Sequence, residues 1–413
     1  MEDNSEKPKG ISRRKFLGAA GAAGAAAATA GFAWPLLKNE STYSASSNES
    51  LGYNFRGKHQ AGVTAPRMPA GLVAGLDVRV DDKRELEQLF VRLSESIELL
   101  MSGARYEDRS GGFPPADTGL NDRADGYVPP WVVLSVGDSL FDSRFGLASL
   151  KPRELQPMPK FNNDYMVKPA TSHGDLSVAI GGVTHESVIH GFRQLMRSVR
   201  GSVIPKWTRS GFNSIRPDIK PGIAPGRNLM GFKDGTANPD PQSDSSMNEI
   251  VWVQPNDLQP EWALGGTYLA VRVIRMMVEF WDRTRLNEQE ELIGRSRDSG
   301  APLGMKKETD EPRFTSFESH IARANPRTSG SEENLMLRNG FNYADGLDGN
   351  DQMDQGLVFL SYQRSLEKGF ITVQRRLDGE ALEEYIRPLG GGFFFVLPGP
   401  GQGSDPLGAS LLA

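Results

Sequence analysis

The sequence predicts an α+β protein with two domains, each an antiparallel sheet that carries helices on one face. At 413 residues the chain is long enough for one large or two medium domains. Apolar runs with strand character alternate with segments of helical periodicity, and each half of the chain reads strand, helix, strand, then strand, helix, strand. The two halves share this order without recognisable similarity in sequence, so we expect two α+β domains.

In the first half, strands are predicted at 70–80, 131–137 and 174–182. The helix predicted at 83–101 follows Asp81 and Asp82, which are good helix-starting residues. Its apolar stripe recurs at helical spacing and comprises Leu86, Leu89, Phe90, Leu93, Ile97, Leu100 and Met101. A second helix is expected at 185–199, after the third strand.

The second half repeats the pattern. Strands are predicted at 265–276, 356–363 and 390–399, and helices at 278–295 and 379–389. The regular spacing of apolar residues disappears at 205–225, so we place the domain boundary there. We expect a leader at 1–45, a linker at 46–58, an N-terminal domain at 59–215 and a C-terminal domain at 216–413.

Composition excludes several classes of function. A net charge of −5 argues against nucleic-acid binding, which normally needs a basic face. The absence of cysteine excludes disulfides, thiolate metal sites, Fe–S clusters, a cysteine nucleophile and covalent haem attachment through a Cys-x-x-Cys-His motif. Of the five histidines, His185 and His190 lie five residues apart, so we interpret them as solvent-facing helix residues and not as a metal pair.

The N-terminus resembles an export signal. Arg13 and Arg14 precede an uncharged run at 16–37, the arrangement of a bacterial twin-arginine leader. This run is rich in Ala and Gly, and a weakly apolar membrane anchor is the alternative interpretation. Because twin-arginine export carries folded proteins, the leader suggests a protein that receives a cofactor before export to the periplasm or another extracytoplasmic space.

The segment "RNLMGFKDGTANPDP" at 227–241 is a loop with polar residues between Gly and Pro. It lacks the order of a phosphate-binding loop, and the chain has neither a dinucleotide-binding fingerprint after a strand nor a serine-hydrolase elbow. An Asp in such a loop usually serves the turn itself. Asp234 is therefore either a turn residue or a catalytic group.

A single histidine, His320, has arginines near it in sequence at Arg323, Arg327 and Arg338. A lone histidine is most often a structural residue. The arginines, however, suit an anionic ligand such as the propionates of haem.

Three motifs occur in the order "GFKDGTANP", "SHIARANPR" and "MLRNGFNY". They resemble the signatures of the dye-decolourising (DyP-type) haem peroxidases, as do "HQAGV", "SLFDSRFGL" and the segment at 367–399. The last segment and the leader are most similar to the exported deferrochelatase/peroxidase branch associated with iron uptake. The resemblance extends from about residue 55 to the C-terminus.

This resemblance implies two ferredoxin-like domains with one non-covalent haem b per chain in the C-terminal domain. It implies that His320 is the proximal ligand of the haem iron, Asp234 the distal acid–base residue and Arg338 the distal arginine. The residues expected to contact haem are Gly235, Thr236, Ala237, Asn325, Pro326, Arg327, Arg338 and, more weakly, Arg295. A carboxylate should bind Nδ1 of His320, and Glu383 is the preferred candidate over Glu380 and Glu384 because it lies beside the apolar face of its predicted helix.

The implied activity is the oxidation of dyes, phenolic compounds or ferrous iron by hydrogen peroxide through a ferryl intermediate. A different class of function remains open, namely a haem-handling deferrochelatase that releases iron from haem in iron acquisition. A secreted α+β protein without cofactor is the third alternative. We expect a homo-oligomer, a reducing substrate, and ferrous-iron uptake proteins of the cell envelope as partners, but no nucleic acid.

Overall fold

The computed structural model describes residues 52–104, 106–108, 111–120, 127–214, 226–313 and 317–413. The predicted leader, residues 46–51 of the predicted linker and residues 215–225 of the predicted boundary lie outside the described residues. The strands are β1 Ala70–Val78, β2 Trp131–Gly137, β3 Leu176–Gly182, β4 Val203–Phe212, β5 Gly226–Arg227, β6 Lys233–Asp234, β7 Thr267–Met276, β8 Leu337–Arg338, β9 Phe341–Leu347, β10 Met353–Gln363 and β11 Ile386–Val396. The helices are α1 Lys83–Ser102, α2 His185–Ser198, α3 Asp244–Ile250, α4 Val278–Trp281, α5 Leu286–Ile293, α6 His320–Ala324, α7 Thr372–Leu377 and α8 Ala409–Leu412.

The N-terminal half forms a four-stranded antiparallel sheet in the order β2-β3-β1-β4. Helix α1 follows the first strand and α2 follows the third, as a ferredoxin-like βαββαβ unit requires. Helix α1 begins where the sequence predicts, because the side chain of Asp82 accepts a hydrogen bond from the backbone N–H of Glu85 at 2.8 Å.

The C-terminal half repeats this topology. Its sheet has the order β9-β10-β7-β11, again with the first and third strands at the centre. Helices α4 and α5 follow the first strand, and α7 follows the third. The predicted fold class, two ferredoxin-like units with antiparallel sheets, is confirmed.

The two sheets join into one closed ring of strands. Strand β11 pairs with β2 over three residues, and β4 pairs with β9 at Phe212 and Asn342. One hydrophobic core takes residues from both sheets, including Val73, Val133, Val271, Leu360 and Phe394. Because side chains alternate along a strand, Arg272, Ile274 and Met276 of β7 point away from this shared core and line a cavity that residues of α6 and α7 also line.

The structure differs from the predicted elements at three places. Residues 203–212 form β4, although 205–225 is expected to be an aperiodic boundary, and the apolar pattern of β4 is weak because only one face is buried. The single helix expected at 278–295 is two helices, since Nε2 of Gln289 donates to the carbonyls of Trp281 and Thr284 and so satisfies the end of α4. The predicted helix at 379–389 is a 3₁₀ turn, Ala381–Glu384, that runs directly into β11.

His190 is also buried and not solvent-facing as predicted. Its Nδ1 lies 2.6 Å from the hydroxyl of Thr118, a residue of the long loop after α1. Within the described ranges, no helix combines the length and the apolar character that crossing a bilayer requires.

Candidate active site

A cavity of about 300 Å³ lies between the outer face of the C-terminal sheet, helices α6 and α7, and the β5–β6 hairpin. This is within the usual size range of ligand pockets. Its apolar wall includes Phe232, Ile274, Leu357, Phe359 and Phe370. Every residue that the sequence predicts for the site lines the cavity except Pro326.

The β5–β6 hairpin positions Asp234. Gly226 pairs with Asp234, and the turn is closed by Oδ1 of Asn228, which accepts from the backbone N–H groups of Met230 and Phe232 at 3.1 Å each. The chain then turns sharply, with φ of 100° at Gly235 and 57° at Ala237. Asp234 therefore ends a short strand just before a left-handed turn, and its side chain lines the cavity.

Arg338 lies on β8, which pairs with β10 in the C-terminal sheet. Its Nη2 donates to the carbonyl of Thr236 at 2.8 Å. The side chain of Asn238 both accepts from the backbone N–H of Arg338, at 2.9 Å, and donates to its carbonyl, at 3.0 Å. Burial lowers the pKa of Arg338 from its usual value, and the nearby Asp234 opposes that shift. The loop after Asp234 and the strand that carries Arg338 are thus held together.

Glu308 fixes the same loop from another direction. Its carboxylate accepts from Nζ of Lys233 at 2.6 Å and from the hydroxyl of Thr236 at 2.8 Å. The Glu308 side chain is only 6% exposed, so this ion pair is well shielded from water. Lys233 and Thr236 flank Asp234 and Gly235, and the two contacts therefore fix the backbone on both sides of Asp234.

His320 is the first residue of α6, and its side chain is 34% exposed where it faces the cavity. Nδ1 lies 2.8 Å and 3.1 Å from the two carboxylate oxygens of Glu380. Burial alone would lower the pKa of His320, but the Glu380 carboxylate raises it above its usual value. With an Nδ1–H donated to Glu380, Nε2 is the ring nitrogen that can bind a metal.

The prediction that Glu383 binds Nδ1 of His320 is wrong. Glu380 occupies that position because it precedes the 3₁₀ turn, Ala381–Glu384, and is almost fully buried. Glu383 lies in that turn and lines the cavity, but no described residue binds its Oε1. Burial raises the pKa of Glu383, and the neighbouring carboxylates of Asp378 and Glu380 raise it further.

Two more arginines give part of the cavity wall a positive charge. The guanidinium of Arg295 donates to the carbonyls of Gly300, at 2.7 Å, and Glu308, at 3.1 Å. Burial, reinforced by repulsion from Arg327, lowers the pKa of Arg295 to about 10. Arg327 adopts φ of 55°, donates to the carbonyl of Asn325 at 3.0 Å and pairs with Glu311 at 2.5 Å.

These residues fit a haem. The cavity combines an apolar wall, one imidazole oriented by a carboxylate, and arginines that can bind anionic propionates. A carboxylate and a further arginine, Asp234 and Arg338, line the same space and can serve acid–base and electrostatic roles.

Sequence reasoning missed Arg67 and Glu308. Arg67 contacts Asp234 from a position 167 residues earlier in the chain, and Glu308 lies 72 residues after Thr236. Neither residue stands in a local pattern that indicates a site. Glu380 is one of the three carboxylates that the sequence offers for this role, and only the geometry of the 3₁₀ turn separates it from Glu383.

Comparison with known families covers almost all of the described chain. Residues 60–213 match the Dyp-type peroxidase N-terminal model, and residues 225–400 match the Dyp-type peroxidase C-terminal model. The chain is 45% identical over 370 residues to the protein named Deferrochelatase from Escherichia coli strain K12, covering 87% of this chain and 86% of the relative. The relative of the same name from Shigella flexneri is also 45% identical, with 87% of each chain covered.

Solved structures agree with this assignment. Ferric DtpA from Streptomyces lividans superposes with a TM-score of 0.78 at 32% identity, covering 87% of this chain and 97% of that one. A DyP-type peroxidase from Streptomyces coelicolor gives a TM-score of 0.79 at 31% identity, with 88% and 98% covered. The chain therefore belongs to the Dyp-type peroxidase family and is a haem-dependent enzyme.

Proposed function

We propose that this chain is an exported peroxidase in which Asp234 transfers the proton of hydrogen peroxide beside a haem held by His320. The cofactor would be a single, non-covalent haem b, which Arg327 and Arg295 would bind through its propionates and Asn325 and Pro326 would contact at its edge. One observation carries the proposal: the carboxylate of Asp234, the guanidinium of Arg338 and the Glu380-oriented imidazole of His320 line one cavity.

Cleavage of the O–O bond of hydrogen peroxide requires a base that later acts as an acid. Haem held by His320 would supply a redox-active iron that takes oxidising equivalents from peroxide and passes them to a second substrate. Asp234 takes the proton from one peroxide oxygen and returns it to the other, so that the O–O bond breaks with release of water. In the full cycle one peroxide takes two electrons and two protons and gives two waters, and the reducing substrate supplies the electrons.

Arg338 supports this transfer by charge. Its side chain lines the same cavity as Asp234; the guanidinium donates to the carbonyl of Thr236, and the side chain of Asn238 binds the backbone of Arg338. A fixed cation stabilises negative charge that develops on the departing oxygen without reorganising during the step. Gly235, Thr236 and Ala237 line the cavity and would provide backbone that borders the haem, where the turn lets the chain approach closely.

The proposed reductants are dyes, phenolic compounds and ferrous iron. A second candidate function is the release of iron from haem, in which two protons replace the metal on the porphyrin nitrogens. The observation that favours it is the 45% identity to proteins named Deferrochelatase across 87% of the chain. The two functions can share one haem cavity.

The decisive experiment separates oxidation from iron release. Haem-loaded protein is given peroxide with a dye or with ferrous iron, and a parallel sample is kept without oxygen and peroxide and assayed for metal-free porphyrin by fluorescence. We expect Asp234→Asn to lose roughly 100-fold or more of the peroxide-dependent oxidation, the share of a positioned acid–base group, with haem content unchanged. Asp240→Asn, at an exposed position of the same loop, is the matched control.

If Asp234→Asn oxidises substrate as fast as the wild type, the assignment of Asp234 is wrong. If wild-type protein instead accumulates porphyrin and shows no turnover with peroxide, iron release becomes the main function.

We also propose that residues 1–45 direct export through the twin-arginine pathway, so that the enzyme acts in the periplasm or another extracytoplasmic space. Arg13 and Arg14 before the uncharged run at 16–37 support this proposal. Ferrous-iron uptake proteins of the envelope are the proposed partners, and the functional unit is a homo-oligomer. Replacing both arginines by lysine and assaying peroxidase activity in the periplasmic fraction tests the export route.

A further inference from the structure

We propose that Arg67, from the N-terminal half, is a positioning residue that holds the carboxylate of Asp234 in its reactive orientation. This inference rests on the proposed function of Asp234. Arg67 does not line the cavity, whereas Asp234 does, so Arg67 acts on Asp234 from behind.

The contact involves both the backbone and the side chain of Asp234. Nη1 of Arg67 donates to the carbonyl of Asp234 at 3.1 Å, and Nη2 lies 3.5 Å from Oδ2. The Arg67 side chain is 12% exposed and that of Asp234 is 22% exposed, so water screens the pair only partly. With Oδ2 directed towards Arg67, Oδ1 is the oxygen left for proton transfer in the cavity.

The loop that carries Arg67 is fixed relative to the strand that carries Arg338. Asn213 donates from its backbone to the carbonyl of Pro69 at 2.9 Å, and from its side chain to the carbonyl of Met68 at 3.2 Å. Asn339, which directly follows Arg338, donates from its side chain to the carbonyl of Ala65 at 3.4 Å.

The side chain of Asn213 also donates to the carbonyl of Gly340 at 3.2 Å. Ala65, before Arg67, is therefore bound directly to Asn339, and Met68 and Pro69, after Arg67, are linked through Asn213 to Gly340. Asp234 consequently contacts one arginine, Arg67, that does not line the cavity and shares the cavity with a second, Arg338, and the fold links the segments that carry the two arginines.

The chemical consequence is preorganisation. A carboxylate that can rotate presents its oxygens in many orientations, and only some are within reach of the proton to be moved. A planar guanidinium with two donors restricts both the backbone carbonyl and the carboxylate, which a single point charge cannot do. Arg67 thus connects the N-terminal half of the chain to proton transfer in the C-terminal cavity.

The test uses cyanide, which enters as HCN and must lose a proton before it binds ferric haem. Association rate constants are measured by stopped flow on haem-loaded protein for wild type, Arg67→Ala, Arg67→Gln, Arg67→Lys, Asp234→Asn and the double variant Arg67→Ala with Asp234→Asn. Arg56→Ala is the matched control, because Arg56 binds Glu98 through two nitrogens at a site away from the cavity. Haem content and the thermal unfolding midpoint are recorded for each protein, and Arg67→Gln serves if Arg67→Ala folds poorly.

We expect Arg67→Ala and Arg67→Gln to slow cyanide association by roughly tenfold, part of what a positioned base contributes. Arg67→Lys should recover part of the rate, and Arg56→Ala should match the wild type. In the Asp234→Asn background, removing Arg67 should change the rate by less than about twofold, because two residues that act through one group are not additive.

Three outcomes would overturn the inference, and they are distinguishable. If Asp234→Asn itself leaves the rate unchanged, the proposed function fails and the role of Arg67 fails with it. If Asp234→Asn is slow but the Arg67 variants match the wild type, only the role of Arg67 is rejected. If removal of Arg67 slows both backgrounds equally, its effect is structural and does not pass through Asp234.

Discussion

Nδ1 of His320 lies 2.8 Å from Oε2 of Glu380, whose side chain is 3% exposed. An imidazole that donates to a buried carboxylate is fixed in one tautomer and one ring orientation, and it becomes a stronger electron donor through its other nitrogen. The relationship connects a short helix, α6, to the residue just before a 3₁₀ turn 60 residues later in the chain.

The first prediction concerns this pair. Glu380→Gln removes the negative charge while keeping the size of the side chain, so the reduction potential of the bound haem should rise and peroxidase activity should fall by roughly 10–100-fold. Spectroelectrochemical titration measures the potential. Glu383→Gln is the matched control, because Glu383 lines the same cavity without contacting His320. A larger change of potential in Glu383→Gln than in Glu380→Gln would contradict the assignment.

Glu308 provides a second prediction. Glu308→Ala removes the partners of both Lys233 and Thr236, and should lower the free energy of unfolding by about 1–3 kcal/mol. Peroxide turnover should fall as well, because the backbone around Asp234 is less restrained. Urea unfolding checks the stability. Glu333→Ala removes a solvent-exposed ion pair with Lys368 and should leave the unfolding midpoint unchanged. Equal effects of the two substitutions would show that the contacts of Glu308 stabilise the protein no more than an exposed ion pair does.

The third prediction concerns retention of the cofactor. Arg327→Ala should speed haem loss by roughly tenfold or more, because a hydrogen bond to a charged group contributes about 1.5–3 kcal/mol. Transfer of haem to excess apomyoglobin gives the rate. Arg283→Ala is the control, since Arg283 is exposed and does not line the cavity. An unchanged rate of haem loss in Arg327→Ala would mean that Arg327 does not bind the haem propionates.

Stability should also depend on pH through His173. This residue has φ of 58°, and its carbonyl accepts from Nε1 of Trp207 at 2.7 Å. Burial lowers the pKa of His173 below its ordinary value of 6.5, and the charge of Lys206 lowers it further. The unfolded chain therefore binds this proton first as the pH falls. The contribution of His173 to stability is complete above pH 6.5 and declines as the pH falls from there towards the folded pKa.

His173→Asn should remove this part of the pH dependence, and Asn tolerates the left-handed backbone. Urea unfolding at about pH 7.5 and about pH 5.5 measures it, with His185→Asn as an exposed control. The account would be refuted if the wild type were more stable at the lower pH than at the higher pH, and if the stability of His173→Asn changed with pH in the same way.

Elements with strong local patterns were predictable from the sequence. The structure has β2 at Trp131–Gly137, as predicted, and α1 at Lys83–Ser102, one residue longer than predicted. Both carry dense apolar patterns, and α1 has a capping residue. Strand β4 was not predicted because few of its positions are buried and they do not alternate regularly, and its place in the ring depends on pairing with β1 and β9.

The candidate site was predictable as a set of residues, but its contacts were not. The motifs around Asp234, His320 and Arg338 identify side chains that the fold brings to one cavity. The choice between Glu380 and Glu383 depends on whether their segment is an α-helix or a 3₁₀ turn, which propensity does not resolve over four residues. The contact of Arg67 with Asp234 crosses between the two halves of the chain, and only the closed ring of strands creates it.

The most direct test mixes haem-loaded protein with one equivalent of hydrogen peroxide in a stopped-flow spectrometer, with wild type beside Asp234→Asn. We predict a fast change in the haem spectrum in the wild type and a change slower by roughly 100-fold or more in the variant, at equal haem content. Equal rates in the two proteins would contradict the central claim that Asp234 transfers the proton of peroxide.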